Sequence, residues 1–266
     1  MLDFCCSTSA VLSNETVTDK IKSAFPGAQT ADAVAAKLDI ILSRHGYKNS
    51  TTLLATSFCS DEVNRELEDV LKKNFGSNFS MGGLAGFPFC GATSFGAMAH
   101  HIPTGGSCII AYAPHVGIDT DGNVGKINRR GRGASGACCG AACAALAHIK
   151  AVRSGESTEQ ETPDDYLDCQ QQWIQKLMLK YGDQLEASDD EMVELPHAIL
   201  DCQNGYMKRI VEAMSKEVAG DGKIALLGGI QINTPLGIDE YFLPKKFQLL
   251  NRDGEVVIDL LEELTA

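Results

Sequence analysis

The sequence predicts an α/β fold in which helices flank a central sheet. Three apolar segments rich in aliphatic and β-branched residues are typical of buried strands. They are Thr51–Phe58, Ser107–Ala113 and Lys223–Ile232. Helix-patterned sequence separates them, and such alternation is typical of a parallel sheet. Because ligands bind at the carboxyl ends of strands in such sheets, residues just beyond these ends are the first candidates for a functional site.

The N-terminal part of the chain is predicted to be helical. A first helix ends at Pro26–Gly27, since proline cannot continue it. A second helix begins at an N-cap residue, Thr30 or Asp32, and ends at His45–Gly46. Its buried face is predicted at the helically spaced apolar positions Val34, Leu38, Ile41 and Leu42.

The chain changes character after the first core strand. A helix is predicted from about Glu62 to Lys73. Residues 76–106 combine many glycines with four phenylalanines, which is typical of a loop that lines a pocket, followed by a short helix from Thr93 to Ile102. An irregular connection has the same composition, so both interpretations stay open. Beyond the second strand, Val116–Lys126 predicts a hairpin.

The C-terminal half is predicted to add two helices and several edge strands. The helices run from about Asp164 to Tyr181 and from about Asp190 to Val218, and Pro196 predicts a break or kink in the second. Gly220–Gly222 predicts a turn before the third core strand. Short edge strands are predicted at Tyr241–Phe242, Phe247–Leu250 and Val256–Ile258.

The bulk composition argues against several classes of protein. The chain has 266 residues, of which 44% are hydrophobic and 22% charged, as in an ordinary globular protein. Its net charge of -12 argues against a nucleic-acid-binding protein. No apolar run reaches the roughly 18 residues of a membrane span. The N-terminal residues lack the basic and apolar regions of a secretory signal.

Ten cysteines make thiol chemistry the most informative feature. A chain of this length needs no disulfide framework, so we expect reduced thiols, a minority of which bind a metal. Cys59 follows the first core strand, His115 follows the second, and Cys138 and Cys139 precede a helix. Catalytic zinc sites keep three cysteine, histidine or carboxylate ligands and one open position. These residues predict a zinc site of Cys59, His115 and either Cys138 or Cys139.

Charged groups lie near these positions. Asp61 is placed to orient a water molecule or to occupy the fourth metal position, and Arg65 is placed to hold Asp61 by a bidentate ion pair. From spacing alone, an acid in the first turn of a helix and a surface arginine are the commoner case. The loop Asn128–Gly133 is basic in an acidic protein, and either attracts an anion or is simply solvated.

Short motifs in this sequence resemble those of a known enzyme family. Residues 59–65, Cys-Ser-Asp-Glu-Val-Asn-Arg, resemble the Cys-x-Asp-x-Arg element of beta carbonic anhydrases, with two extra residues before the arginine. Residues 112–117, 128–133 and 135–141 resemble the limiting-CO2-inducible B/C-like (LCIB/C) proteins. That family is grouped with the beta or theta carbonic anhydrases. The resemblance runs from about residue 30 to the C-terminus.

The resemblance implies an overall organisation for the chain. It implies a single carbonic-anhydrase-like domain over residues 1–266, with a helical N-terminal region at residues 1–48. The central sheet is expected to be like that of a beta carbonic anhydrase. The family also implies a homodimer and a location in the chloroplast.

The resemblance further implies roles for individual residues. Zn²⁺ is expected to be held by Cys59, His115 and Cys139. Cys139 is favoured because the beta enzymes follow this cysteine with glycine, as the present sequence does; Cys138 stays the alternative. Asp61 and Arg65 are implied as the catalytic dyad, although the gap between them is wider than in the beta enzymes.

The predicted function is a zinc-dependent carbonic anhydrase. Zinc-bound hydroxide would attack CO2 and form bicarbonate in an apolar pocket walled by Phe87 and Phe89. A catalytically silent zinc protein, acting as a bicarbonate sensor or as an assembly subunit of a carbon-concentrating complex, is the second hypothesis. A thiol-redox protein that uses Cys138 and Cys139 ranks last, because adjacent cysteines form only strained disulfides.

Overall fold

The chain folds into an α/β structure with helices on both faces of a central sheet, as predicted. The computed structural model describes residues 4–159, 166–218 and 222–266. The α-helices are α1 Phe4–Ala24, α2 Ala31–Arg44, α3 Glu66–Phe75, α4 Gly91–His100, α5 Gly140–Arg153, α6 Cys169–Met178, α7 Gly182–Glu186, α8 Glu191–Met214 and α9 Leu261–Thr265. The strands are β1 Gln29–Thr30, β2 Thr52–Ser57, β3 Asn78–Ser80, β4 Ser107–Tyr112, β5 His115–Gly117, β6 Lys126–Ile127, β7 Gly136–Ala137, β8 Ile224–Asn233, β9 Tyr241–Leu250 and β10 Val256–Asp259.

The strand order brings the predicted core strands together. The order in the main sheet is β1-β9-β8-β4-β2-β3, with β5 beside β8 and β10 beside β9. Strands β3, β2, β4 and β8 run parallel, whereas β9 runs antiparallel to β8. Ser57 on β2 pairs with Tyr112 on β4, so these two strands end together. The residues that follow β2 and β4 therefore meet at one edge of the sheet.

Apolar layers cover both faces of this sheet. On one face, Leu38 of α2 and Leu71 of α3 belong to a buried cluster that includes Phe247 of β9. On the other face, Phe95 of α4 and Met207 of α8 are buried in a second cluster. Full burial of each such side chain contributes about 1.5–3 kcal/mol, so the two layers fix the strands that carry the site.

The helix after β2 begins later than predicted, at Glu66 rather than Glu62. The residues between form a turn in which the Asn64 N–H donates to the Asp61 carbonyl at 3.1 Å. The Arg65 guanidinium also donates to the carbonyls of Cys59 and Asp61. Because these carbonyls are bonded within the turn, the helix starts only after it, and Cys59 stays at the sheet edge.

The two short edge strands predicted at Tyr241–Phe242 and Phe247–Leu250 are one continuous strand, β9. Pro244 lies within this strand, where the register shifts between Gly228 and Gly229 of β8. Such a bulge accommodates a proline that donates no ladder hydrogen bond. Strand β9 also has neighbours on both sides, because β1 and β10 pair with its two ends.

Other differences concern single elements. Helix α8 continues through Pro196, so the predicted break is not present. The predicted hairpin after the second strand is present as an antiparallel bridge between Ile118 and Val124. The predicted turn at Gly220–Gly222 and the start of the helix at Asp164 lie partly or wholly outside the described residues.

Candidate metal centre

Cys59 lies immediately beyond β2 and is almost fully buried. Its carbonyl accepts a hydrogen bond from Arg65, which fixes the backbone at this point. The thiol is enclosed in an apolar cluster that also contains Cys139, Ala142 and Phe87. The predicted position of Cys59 at the carboxyl end of a core strand is thus where the structure places it.

His115 is the first residue of β5, which continues the sheet beside β8. Its side chain is buried, and its Nδ1 donates a hydrogen bond to Oδ1 of Asn233 at 2.7 Å. Because Nδ1 is bonded to Asn233, Nε2 is the nitrogen left to bind a metal ion. Nε2 is buried and has no hydrogen-bond partner among the described residues. A buried, unpartnered imidazole nitrogen of this kind is suited to bind a metal ion.

Asn233 at the end of β8 orients this imidazole. Its Nδ2 donates to the carbonyl of Val63 and to the carboxylate of Glu240, each at 3.1 Å. The side-chain amide therefore cannot rotate without losing contacts on both sides. Sequence reasoning missed Asn233, because no motif links it to His115.

The segment containing Cys139 is bound directly to β5. The Gly117 N–H donates to the Cys138 carbonyl at 3.1 Å, and the Cys138 N–H donates to the Gly125 carbonyl at 2.9 Å. A Cβ at Gly117 would lie 2.8 Å from Cβ of Cys138, so only glycine permits this approach. Cys139 is then the residue that precedes α5.

These contacts bring Cys59, His115 and Cys139 together. Their ligand atoms all lie within 4.8 Å of one another, and all three residues are buried. The two sulfurs are 3.9 Å apart. Tetrahedral zinc with Zn–S distances of about 2.3 Å would place two thiolates about 3.8 Å apart, so the observed sulfur separation fits a zinc ion.

Cys138 occupies a different side of the imidazole. Its Sγ lies 3.6 Å from Nδ1 of His115 and 3.7 Å from Oδ1 of Asn233. It therefore faces the nitrogen that is already bonded, whereas Cys139 faces Cys59. Cys138 also belongs to a second group of possible ligands, with His115 and Asp61. The geometry favours Cys139 over Cys138 as the partner of Cys59.

The two facing thiols differ in their affinity for a proton. The hydrogen bond from Cys139 lowers the pKa of Cys59 to about 4, against the opposing effect of burial, and His115 adds to the lowering. The same hydrogen bond, together with burial, raises the pKa of Cys139. Cys59 is thus already a thiolate near neutral pH, and a bound cation would displace the proton that Cys139 donates to it.

Asp61 is held by an arginine, but not by the one that was predicted. Nη1 and Nη2 of Arg129 contact Oδ1 and Oδ2 of Asp61 at 2.8 and 2.9 Å. Arg129 also contacts Glu62 and the Ala137 carbonyl. Although burial opposes ionisation, the Arg129 guanidinium holds the pKa of Asp61 well below its usual range.

The predicted side-chain pair of Asp61 with Arg65 is therefore wrong. Arg65 donates to the backbone carbonyls of Cys59 and Asp61 and forms an ion pair with Glu68 at 3.2 Å. Because the Arg65 guanidinium is bonded to the carbonyls of the turn, it does not pair with the Asp61 carboxylate, which binds Arg129 instead. The basic loop Asn128–Gly133, predicted either to attract an anion or to be solvated, contains Arg129, but sequence reasoning did not connect it with Asp61.

An apolar cavity shares one wall residue, Phe87, with the cluster that encloses the thiols, whereas Cys59, His115 and Cys139 do not line it. Its volume is about 870 Å³, and Phe87, Phe89, Trp173 and Tyr206 are among the residues that line it. Phe87 also packs in the cluster that contains Cys59 and Cys139. Both predicted phenylalanine walls are therefore cavity-lining residues, and Phe87 connects the cavity wall to the thiols.

Two findings concern the remaining predictions. No described helix has the length and apolar character needed to cross a bilayer. In the described part of the chain the cysteines are free: Cys108 and Cys202 are buried, Cys143 and Cys169 are half-buried, and Cys90 is exposed.

Comparison with known proteins identifies the family. A family model described as limiting CO2-inducible proteins B/C beta carbonic anhydrases matches residues 28–251. No curated protein matches the chain. The crystal structure of PtLCIB4, a homologue of the limiting CO2-inducible protein LCIB, is 43% identical with a TM-score of 0.85, over 91% of this chain and 99% of that chain. A serine-to-arginine point mutant of PtLCIB4 is 39% identical with a TM-score of 0.79, over 91% and 99%.

A more distant structure shares the fold. The crystal structure of the limiting CO2-inducible protein LCIB has 22% identity and a TM-score of 0.70, over 90% of this chain and 96% of that chain. The family match and the two structures of PtLCIB4 agree with the motifs that surround the metal centre. The chain belongs to the family of limiting-CO2-inducible B/C (LCIB/C) proteins, which is described as carbonic-anhydrase-like.

Proposed function

We propose that this protein is a zinc-dependent carbonic anhydrase that interconverts CO2 and bicarbonate. The observation that carries the proposal is the buried group of Cys59, His115 and Cys139, with its sulfur separation of 3.9 Å. The ionised Asp61 and the apolar cavity add the two other features that CO2 hydration requires. Membership in a family named for carbonic anhydrases supports the same reaction.

The residues of the centre fit Zn²⁺ as the cofactor. Cys59 and Cys139 would bind it through sulfur and His115 through Nε2, the nitrogen that has no other described partner. The bound ion would supply a Lewis acid that makes water a nucleophile near neutral pH. Two thiolates balance its charge, so the effect on water depends more on nearby groups than in a site of three histidines.

Asp61 is the nearby group that acts on water. Arg129 keeps its carboxylate ionised and fixes its direction through two parallel hydrogen bonds. A carboxylate held in this way accepts a hydrogen bond from the attacking water and aligns its lone pair. Arg129, rather than Arg65, is the second member of this dyad, and Arg65 acts by fixing the Cys59 turn.

The apolar cavity would receive CO2. Phe87 and Phe89 offer no hydrogen bonds, so they favour an uncharged substrate over bicarbonate. The product anion is therefore released toward polar surroundings. The proton released in the reaction passes to solvent.

A CO2 hydration assay on the zinc-loaded protein tests this proposal. Cys59→Ala should abolish the activity, while Cys90→Ala, which alters an exposed cysteine, should leave it unchanged. Metal analysis should give one zinc per chain for the wild type and much less for Cys59→Ala. Equal hydration rates for the wild type and Cys59→Ala would rule out the enzyme.

The near-complete burial of the centre favours a second candidate function. Cys59, His115 and Cys139 are only 2%, 2% and 3% exposed. Restricted access of this kind suits a catalytically silent zinc protein that senses bicarbonate or assembles with a partner. Full zinc occupancy together with no hydration activity would favour this candidate.

Family membership motivates two further proposals. We propose a homodimer and a location in the chloroplast, both from family resemblance. Light scattering of the purified protein tests the first, with a mass near 28.5 kDa contradicting it. A fluorescent fusion tests the second, with a signal outside the chloroplast contradicting it.

A further inference from the structure

A second cavity lies between α8 and strands β8, β9 and β10. Its volume is about 520 Å³. Leu226 and Leu250 of the sheet contribute apolar surface, and Gly205 of α8 faces it without a side chain. None of the metal-centre residues lines this cavity.

Lys246 is the lysine that β9 directs into this cavity. It is half-buried, whereas the preceding residue, Lys245, is exposed. Among the described residues, none forms an ion pair or hydrogen bond with the Lys246 ammonium. A half-buried ammonium group without an ion pair is less stable than an exposed one, because burial of a charge costs free energy.

Two carboxylates, Asp201 and Asp259, and two further lysines, Lys180 and Lys208, lie around Lys246. Lys180 lies 4.6 Å from the Tyr181 ring centroid, and Lys208 lies 3.8 Å from Glu212. The carboxylates of Asp201 and Asp259 accept hydrogen bonds from Tyr181 at 2.8 Å and from Gln248 at 2.9 Å. Three lysines, Lys180, Lys208 and Lys246, thus line one cavity.

This environment makes the ammonium group of Lys246 easier to deprotonate than that of an exposed lysine. Burial lowers the pKa of its ammonium group, and the positive charge of Lys208 lowers it further, against the attraction of Asp259 and Asp201. A neutral amine is a nucleophile, whereas an ammonium group is not. The cavity therefore combines an amine whose pKa is lowered with two further lysines, Lys180 and Lys208, that line the same space.

We propose that CO2 reversibly carbamylates Lys246, and that Lys180 and Lys208 hold the carbamate anion. The nitrogen lone pair of the amine attacks the carbon of CO2 and forms a C–N bond. One C=O electron pair moves onto oxygen, and the nitrogen loses one proton to solvent. The product is R–NH–COO⁻ plus H⁺, so no oxidant, reductant or metal is required. Lys246 becomes an anion where it had been an amine or a cation.

This modification goes beyond the proposed zinc reaction and does not depend on it. It makes the cavity between α8 and β9 a CO2 site that responds to the concentration of dissolved CO2. Because Lys180 and Lys208 project from two different helical segments, the carbamate would join them to β9. The expected result is a CO2-dependent stabilisation of this part of the fold.

Chemical trapping tests the proposal directly on the wild-type protein. The protein is equilibrated with isotopically labelled CO2 and bicarbonate, carbamates are converted to ethyl esters with an oxonium reagent, and peptides are identified by mass spectrometry. A labelled adduct is expected on Lys246 and not on Lys245. Absence of the adduct, or equal labelling of the two lysines, would overturn the proposal.

Matched variants separate this site from the zinc centre. Lys246→Arg should lose the adduct and the CO2-dependent stabilisation, while Lys245→Arg keeps both. Lys208→Met should reduce the labelling of Lys246 severalfold. Without the Lys208 charge the Lys246 amine is more often protonated, and the carbamate loses a counterion. Unchanged labelling would refute the role of Lys208. Cys59→Ala should retain the adduct, so failure of the zinc proposal would not remove it.

Discussion

Among single residues, the pairing of Asp61 with Arg129 carries the first prediction. Arg129→Gln should reduce kcat/KM for CO2 hydration about 10–100-fold with zinc content unchanged, as expected when a hydrogen-bonded partner outside the metal ligands is removed. Without the guanidinium the pKa of Asp61 rises, so the loss should be greatest at the acid end of the pH range. Stopped-flow assays across pH measure both effects.

The control for this substitution lies in the same loop. Arg132 is exposed, so Arg132→Gln removes one positive charge from the loop without touching Asp61. It should retain the wild-type pH profile. A loss of activity in Arg132→Gln equal to that in Arg129→Gln would show that only the loop charge matters.

Glu240, which accepts the hydrogen bond from Asn233, carries a second prediction. Burial, and then the neighbouring charge of Glu66, raise its pKa from 4.5 to about 8. The folded pKa lies above the unfolded one, so its contribution to stability is present below about pH 4.5 and is lost as pH rises through about 8. Glu240→Gln should remove this loss and stabilise the protein at pH 9 by an amount on the order of a few kcal/mol.

Thermal unfolding between pH 5 and pH 9 measures this effect. The stability difference between Glu240→Gln and the wild type should grow as pH rises, since the glutamine cannot ionise and can still accept from Asn233. Glu15→Gln, on an exposed part of α1, should show no such growth. A difference that is constant across pH would contradict the raised pKa.

Within the helices and strands, glycines at two positions have opposite expected effects. In α8, a Cβ at Gly205 would meet no atom within 4 Å. Glycine in a helix interior costs roughly 0.5–1 kcal/mol relative to alanine. Gly205→Ala should therefore stabilise the protein by about that amount, measured by chemical denaturation, and a loss of stability would mean that α8 is distorted there.

Gly117 on β5 is the opposite case. An added Cβ would lie 2.6 Å from the Lys126 carbonyl oxygen and 2.8 Å from Cβ of Cys138. Gly117→Ala should push the Cys138–Cys139 segment away from His115 and lower the zinc content of the purified protein. Metal analysis measures this directly, with Gly205→Ala as the substitution that should leave zinc unchanged.

At the scale of the whole fold, the elements that could be predicted from the sequence are those that local residue patterns determine. The core strands are apolar runs, so β2, β4 and β8 were identified from composition, and the residues after β2 and β4 followed as site candidates. Strand β9 was predicted as two short strands, and the residues between them include Pro244 and the register shift opposite Gly228 and Gly229. A register shift between paired strands leaves no local signal in the sequence.

The ion pair between Asp61 and Arg129 likewise could not be predicted from local sequence patterns. Arg65 is close to Asp61 in sequence, so it was assigned to the carboxylate, whereas Arg129 reaches that carboxylate from 68 residues away. Which arginine binds the carboxylate depends on the path of the loop after β6 and on the carbonyls that the turn presents to Arg65. Neither is encoded in spacing, and Asn233 was missed for the same reason.

The proposed zinc ion would connect parts of the chain that are far apart in sequence. Cys59 follows β2, His115 begins β5 and Cys139 precedes α5, so binding requires all three segments in their folded positions. An ion that binds only the folded chain stabilises it by about 2.7 kcal/mol at a free concentration about 100 times its dissociation constant. Removal of zinc with a chelator should therefore lower the unfolding temperature of the wild type, and added zinc should restore it. Cys59→Ala should show neither change, while Cys90→Ala should behave as the wild type. If neither the chelator nor added zinc changes the unfolding temperature of the wild type, these three residues do not form a metal site.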